Sequence, residues 1–371
     1  MKMGSPTLSF SINLDHVLYG EELVDIGSAS IYVENGFIKE ITPNKRGDAL
    51  YSGGIALPLP VNAHVHLSDY RALDHYYGYS LENYVGRKGL KHALIQLYKE
   101  PVITDELLNA LIQYPVIVDY QEKYEYCTIY SDLLSTYNVE YIGLSRPSMW
   151  EKEELDRSLM YCNGIGISNP TIVPPWIMHE LAELSMKYLV SAHVSETKWM
   201  EYVGGLHYLL DHGVRLDHVV HGIYLKDWEL KRLADEEIPL VITPRSNLWF
   251  TGKLPPIEKA LNYGVTIALG SDNAGCFHPD IWFDLYVLLL YKRIDPLKLL
   301  EIALINGYKA IRKTPLVIEE GKPAYFMVVD LGLGNKRSGN IYLSIISRIL
   351  WSSMRIIVKN TRVYVIQNKI K

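Results

Sequence analysis

The stretch Ala56-Leu57-Pro58-Leu59-Pro60-Val61-Asn62-Ala63-His64-Val65-His66-Leu67-Ser68-Asp69 decides how the rest of the chain is read. It is an apolar run that closes on His-x-His. Side chains alternate faces along a strand, so His64 and His66 project to the same side and both imidazoles can reach one ion. A lone His-x-His pair carries little weight, and its meaning depends on what the other strands bring beside it.

Towards the N-terminus, residues 7–55 alternate apolar and polar side chains. The dipeptide Asn35-Gly36 falls between Ser28-Ala29-Ser30-Ile31-Tyr32-Val33 and Ile38-Lys39-Glu40-Ile41, which predicts a hairpin within a small antiparallel region. Towards the C-terminus, the polar, aromatic segment from Tyr70 to Tyr84 reads as a long βα loop over a site. Gly86-Arg87-Lys88-Gly89-Leu90-Lys91-His92 then opens a helix.

From there to about residue 315, short apolar runs at 116–119, 141–144, 164–167, 189–193, 218–221, 239–242 and 266–269 alternate with helical patterns, clearest at 178–186 and 227–236. Strands alternating with helices predict a parallel sheet. Counting the His-x-His strand there are eight, the number that closes a (β/α)8 TIM-type barrel. The tail turns β-rich again at 324–330, 340–343 and 355–365. Neither chain end has the apolar content to stand alone, so the two are expected to pair into a small β-sandwich. The expected division is a composite β domain of 1–56 with 316–371 and a barrel of 57–315.

Composition excludes several classes. Over 371 residues the charged fraction is 21%, the hydrophobic fraction 48% and the formal charge -5, with no basic excess to attract nucleic acid. Met1-Lys2-Met3-Gly4-Ser5-Pro6 has no apolar h-region and no apolar run reaches membrane-spanning length, so the protein is expected in the cytoplasm without a membrane partner. The 28 tyrosines and the Lys/Glu-rich helices lean towards heat stability. Cys127, Cys162 and Cys276 are odd in number, far apart and form no Cys-x-x-Cys, which argues against a disulfide framework and against a zinc knuckle. The compact deaminase signature of His-x-Glu with Pro-Cys-x-x-Cys is excluded as well. Any metal must be held by His and carboxylate.

Strand after strand in the second half ends in a group that can bind or activate something. His193 closes 189–192, with Glu196 three residues on. His221 closes 218–220, and Asp272 follows Leu269-Gly270-Ser271. Active sites of such barrels are built at the C-terminal ends of their strands, so His64, His66, His193, Glu196, His221 and Asp272 would converge. Three imidazoles and a carboxylate can hold a Zn²⁺-like ion with a position left for water, and Glu196 could then move a proton. His218, three residues from His221 in one strand, faces the other way and is expected to be an ordinary buried histidine.

Asn62-Ala63-His64-Val65-His66, His193-Val194-Ser195-Glu196-Thr197, His221-Gly222-Ile223-Tyr224-Leu225, Thr243-Pro244-Arg245-Ser246-Asn247-Leu248 and Leu269-Gly270-Ser271-Asp272-Asn273 resemble, in order, the motifs of the amidohydrolase superfamily. The likeness is to its mononuclear-metal branch of cytosine, guanine and S-adenosylhomocysteine-type deaminases and triazine chlorohydrolases. It implies one divalent metal, Zn²⁺ first with Fe²⁺ or Mn²⁺ accepted by the same ligands, on His64, His66, His193 and Asp272. It further implies that His221 orients water or polarises substrate, that Glu196 carries the proton, and that Asp272 serves both metal and chemistry. Two-metal members usually carry a carboxylated lysine on the fourth strand, where this chain has Gly164-Ile165-Gly166-Ile167-Ser168-Asn169. Members acting on adenosine-like substrates often carry a further His at that strand's end, where Asn169, Pro170 and Thr171 stand here.

The expected function is a hydrolytic deaminase of an aminated heterocycle, nucleobase or nucleoside-like compound, with His92, Arg146 and Asn247 as substrate contacts. The alternatives are hydrolysis of a cyclic amide or a carbon–halogen bond on the same fold, and a non-catalytic metal-binding scaffold. The partner is a small-molecule substrate. Homo-oligomers are common in the resembled families.

Overall fold

The structure, a computed structural model, describes residues 2–3, 9–43, 47–86, 88–98, 100–291, 294–332, 338–349 and 353–366. Most of the N-terminal hexapeptide (Met1, Gly4, Ser5 and Pro6), residues 7–8 and 44–46 of the β-rich N-terminal region and Arg87 of the helix-opening segment lie outside the described residues. The chain divides into two compact units. One comprises residues 61–287 and 306–313, the other residues 1–60, 288–305 and 314–371.

The first unit is a parallel barrel. Its strands are β1 (Asn62–His66), β2 (Val116–Gln121), β3 (Glu140–Ser145), β4 (Gly164–Ile167), β5 (Leu189–Val194), β6 (His218–His221), β7 (Leu240–Ile242) and β8, which comes in two pieces, Ile267–Leu269 and Asp272–Asn273. Neighbouring strands pair in parallel in chain order. The first piece of β8 pairs with β7 and the second with β1, Asp272 lying beside Val65. That double pairing closes the ring. The strands read as apolar runs rather than alternating ones because both faces are covered: every residue of β2, VIVDYQ, is buried.

Gly270, between the two pieces of β8, is required by closure. A Cβ there would lie 2.7 Å from both the Cβ and the carbonyl oxygen of His64.

Cys127 and Cys162 form a disulfide with Cα atoms 5.5 Å apart, which overturns the expectation drawn from their number and spacing. The helix Glu125–Ser135 returns from β2 onto β3, bringing Cys127 against the strand whose successor begins just after Cys162. Gly143 on β3 leaves the room, since a Cβ there would come within 2.5 Å of Cys127 Sγ. Cys276 is free and buried.

The second unit contains a seven-stranded and a four-stranded sheet. They share an apolar core that includes Phe10, Ile12, Ile31, Val33, Ile318, Phe326, Val328 and Ile356. The expected hairpin joins Ala29–Glu34 to Phe37–Thr42, with Asn35 and Gly36 both at positive φ, 50° and 81°, as a type I′ turn demands. The region is not purely antiparallel, however. His16–Tyr19 runs parallel to Ile55–Pro58, and Ser9–Leu14 runs parallel to Tyr51–Ser52, because the chain crosses back before pairing again.

Two further expectations are corrected. Residues 340–343 are not a strand but the start of the helix Ile341–Arg348, whose N-cap Asn340 accepts the Leu343 N–H at 2.9 Å. Residues 288–305, expected within the barrel segment, group with the chain ends, because the helix Pro296–Leu304 packs against Ile341–Arg348. Among the described residues, no helix is long and apolar enough to cross a membrane.

Candidate metal centre and active site

The barrel brings the strand-end residues together. Asp272 Oδ1 lies 3.5 Å from His64 Nε2 and 3.5 Å from His66 Nε2. The rings of His64 and His193 are 4.9 Å apart, and those of His193 and His221 4.7 Å. Ligand atoms of His64, His66 and Asp272, and of His64, His193 and His221, fall in two groups, each within 4.8 Å. Glu196 Oε1 completes the cluster 3.7 Å from His221 Nε2.

Burial sets the charge states. It lowers the His64 imidazole to about 4, and drives His66 and His193 well below the ordinary value with help from neighbouring cations and imidazoles. All three rings are therefore neutral at pH 7, as ligands must be. Burial alone would raise Asp272, but His64 and His221 hold it far below the usual carboxylate range. Glu196 moves the other way, its burial outweighing His221 and raising its proton affinity.

Both nitrogens of His64 and Nε2 of His193 are buried with no hydrogen-bond partner. Unmet polar atoms of this kind are costly unless something else binds them, and a divalent cation beside an ionised carboxylate suits the set.

The chain strains its backbone to reach this geometry. Ser195, His221 and Asp272 all have positive φ, at 47°, 71° and 61°. Non-glycine residues in that region cost on the order of 1–3 kcal/mol each and collect at functional sites.

Around the cluster lies a shell that sequence reading missed. Tyr120 on β2 stacks on His193, and its hydroxyl meets Ser191 Oγ at 2.7 Å. Asp119 on the other face of β2 accepts the Leu67 N–H at 2.8 Å and the Tyr141 hydroxyl at 2.6 Å, and Gln121 Oε1 accepts Ser68 Oγ–H at 2.5 Å. These bonds fix the turn directly after His66. Asn62 ties β1 to β8 by bonding both Oγ and N–H of Ser271, at 2.7 and 3.1 Å. The readable signal was the polar pair Asp119 and Gln121 inside an apolar strand, since buried polar side chains are there to bond something.

The sequence profile of the Amidohydrolase family matches residues 150–363, more than half of the chain. The chain belongs to the amidohydrolase family. A putative aminohydrolase of Methanothermobacter thermautotrophicus is 28% identical, covering 90% of this chain and 93% of that protein. A 5-methylthioadenosine/S-adenosylhomocysteine deaminase of Thermococcus sibiricus is 26% identical over 93% of this chain and 90% of its own length. Among solved structures, zinc-complexed atrazine chlorohydrolase TrzN from Arthrobacter aurescens superposes with a TM-score of 0.80 at 16% identity, covering 96% of this chain and 95% of that one.

Of the residues expected to touch substrate in this amidohydrolase, two are already engaged. Arg146 Nη1 is 2.7 Å from Glu122, and its Nε donates to Ser168 Oγ at 2.8 Å. Glu122 also meets Lys91 at 3.3 Å, and Lys91 meets Asp69 at 2.7 Å. The chain Asp69–Lys91–Glu122–Arg146 balances two anions with two cations beside the imidazoles. Burial would raise the Glu122 carboxyl, but Lys91 and Arg146 hold it down to about 2. His92 is half-buried and close enough to act on the charge of Glu122. Asn247 lies on His221, with Nδ2 3.0 Å from Nδ1.

Arg245, in the motif Thr243-Pro244-Arg245-Ser246-Asn247-Leu248, is held by partners of its own. Its guanidinium meets Asp284 at 2.7 Å and the carbonyls of His278 and Asp280.

Proposed function

We propose that this amidohydrolase is a metal-dependent hydrolytic deaminase acting on an aminated heterocycle, nucleobase or nucleoside-like small molecule. Water replaces a ring amino group, and the products are the hydroxyl compound and ammonia. The observation that carries the reading is the pairing of a half-buried carboxylate of raised proton affinity, Glu196, with His221 beside a His/Asp donor set.

In this reading His64, His66, His193 and Asp272 would hold one divalent ion, with Zn²⁺ preferred and Fe²⁺ or Mn²⁺ suited to the same donors. Such an ion supplies Lewis acidity and brings the pKa of a water towards neutrality. Glu196 accepts the proton of the attacking water and delivers it to the departing nitrogen. A carboxyl with raised proton affinity is suited to both transfers near neutral pH. His221 donates a hydrogen bond from Nε2 to the charge that develops as the water oxygen joins the ring carbon. The deaminase names of relatives support this chemistry over that of the chlorohydrolase, whose likeness at 16% identity speaks for the fold.

The test is Glu196→Gln. The amide keeps the shape but cannot take a proton, so the variant is expected to bind zinc as the wild type does while turnover falls by about 10²–10⁴-fold. Undiminished ammonia release would remove Glu196 from the chemistry.

A further inference from the structure

We propose that Arg245 is a positioning residue of the metal centre: seated on Asp284 through both its guanidinium and its backbone N–H, it fixes the helical turn that supports Asp272. The inference rests on the proposed assignment of Asp272 to the metal and adds a residue one side chain removed from it.

Three consecutive residues at the start of the helix Pro244–Thr251 engage three buried partners. Thr243, ahead of the helix, makes no side-chain capping bond, and Pro244 brings no N–H. The Asp284 carboxylate takes the capping part instead, accepting the Arg245 N–H at 2.9 Å on Oδ1, where negative charge is favoured. The Arg245 side chain folds onto the same carboxylate, with Nε and Nη2 donating to Oδ2 at 3.1 and 2.7 Å. The next residue, Ser246, donates its hydroxyl to the Asp272 carboxylate. Asn247 follows, its amide 3.0 Å from the His221 ring. A slide or rotation of this turn would displace both contacts together.

Arg245 also grips the segment that leaves Asp272. Its Nη2 donates to the carbonyls of His278 and Asp280 at 2.9 and 3.0 Å, and the segment then enters the helix Ile281–Tyr291, which carries Asp284. The rings of Phe277 and Phe283 lie 5.7 and 5.6 Å from the guanidinium, a setting that suits its planar fork and not a lysine ammonium. Asp272 sits at a φ of 61°, a conformation that persists only where the surroundings over-determine it. Ser246 on one side and the tethered 278–280 segment on the other supply that restraint.

Stability alone is a poor reason for this pair. A buried ion pair largely offsets its own desolvation, and apolar replacements are often neutral. Asp284 is only 1% exposed and feels Asp272 as a like charge. Without Arg245 a second carboxylate would stand uncompensated behind the one assigned to the ion.

The test reads the metal directly. Arg245→Lys keeps the charge but cannot meet Asp284 and two carbonyls at once, and Arg245→Met removes the charge at similar length. In the Co²⁺-loaded protein both variants are expected to change the visible absorption bands of the ion. Zinc affinity, measured by chelator competition, should fall by about 10–100-fold. kcat on the best deamination substrate should fall by a similar factor, with KM little changed. Arg312→Lys, which disturbs the ion pair with Asp217 just before β6, should lower the thermal midpoint while leaving the cobalt spectrum and zinc affinity as in the wild type. If Arg245→Met does not fold, Arg245→Lys carries the test. A folded Arg245→Lys protein with the wild-type cobalt spectrum and zinc affinity overturns the proposal, whatever its thermal midpoint. The altered spectrum and affinity in a protein whose wild type releases no ammonia uphold the positioning role and overturn the deaminase reading instead.

Discussion

Tyr120 lies nearly flat on His193, with ring centroids 4.9 Å apart and planes 19° apart. The same ring meets His64 edge-on at 4.6 Å, so one side chain of β2 braces imidazoles from β1 and β5. Gly166 on β4 makes this possible, because a Cβ there would lie 2.7 Å from the Tyr120 ring. Gly166→Ala is therefore expected to push Tyr120 off His193 and speed zinc loss to a chelator. Tyr120→Phe keeps the stack and gives up only the bond to Ser191, at a cost of about 1–3 kcal/mol for the hydroxyl left unpaired. Urea midpoints and zinc release rates on both variants check this: equal zinc retention in Gly166→Ala and wild type would contradict it.

The Cys127–Cys162 bond closes a sequence separation of 35 residues. By loop closure in the unfolded chain, a cross-link of that span is worth about 4 kcal/mol. Thermal unfolding with and without reductant, and of Cys127→Ser with Cys162→Ser, should show a lowered midpoint in each case. An unchanged midpoint would mean the bond constrains nothing the fold does not already constrain.

What could be read from the sequence was whatever periodicity and strand ends carry. His64, His66, His193, His221 and Asp272 announced themselves because each closes or follows an apolar run, and the barrel rule then places strand ends together. The pairing of Cys127 with Cys162 was invisible, since it depends on the helix after β2 returning onto β3. Ile341 to Arg348 misled for a different reason. Its Ile- and Tyr-rich start looks like a strand, while the buried positions Ile341, Ser344 and Ile345 have helical spacing that emerges only over the whole segment. The Asp69–Lys91–Glu122–Arg146 chain joins residues from three separate βα segments, and no local pattern links them.

His218 and His221 share a strand and have opposite fates. His218 donates from Nδ1 to the Ala310 carbonyl at 2.9 Å, and burial lowers its pKa from 6.5 to about 3. Between those values the unfolded chain takes up a proton that the folded one refuses. The stability due to neutral His218 is thus complete above about pH 6.5 and is lost as the pH falls towards 3. His218→Asn, which can still donate to Ala310, should flatten the fall in stability across that window by up to roughly 5 kcal/mol. Urea titrations at pH 7 and pH 4 decide it: identical slopes for variant and wild type would show that His218 does not carry the effect.

The most direct measurement is ammonia release by the zinc-loaded protein against a panel of aminated heterocycles and nucleosides, with Asp272→Ala as the blank. Asp272 stands 3.5 Å from both His64 and His66, so its loss should abolish metal binding. The account predicts ammonia from at least one compound, matched mole for mole by the hydroxylated product and absent from the blank. A protein that holds one zinc per chain and releases no ammonia from any member of the panel would contradict it.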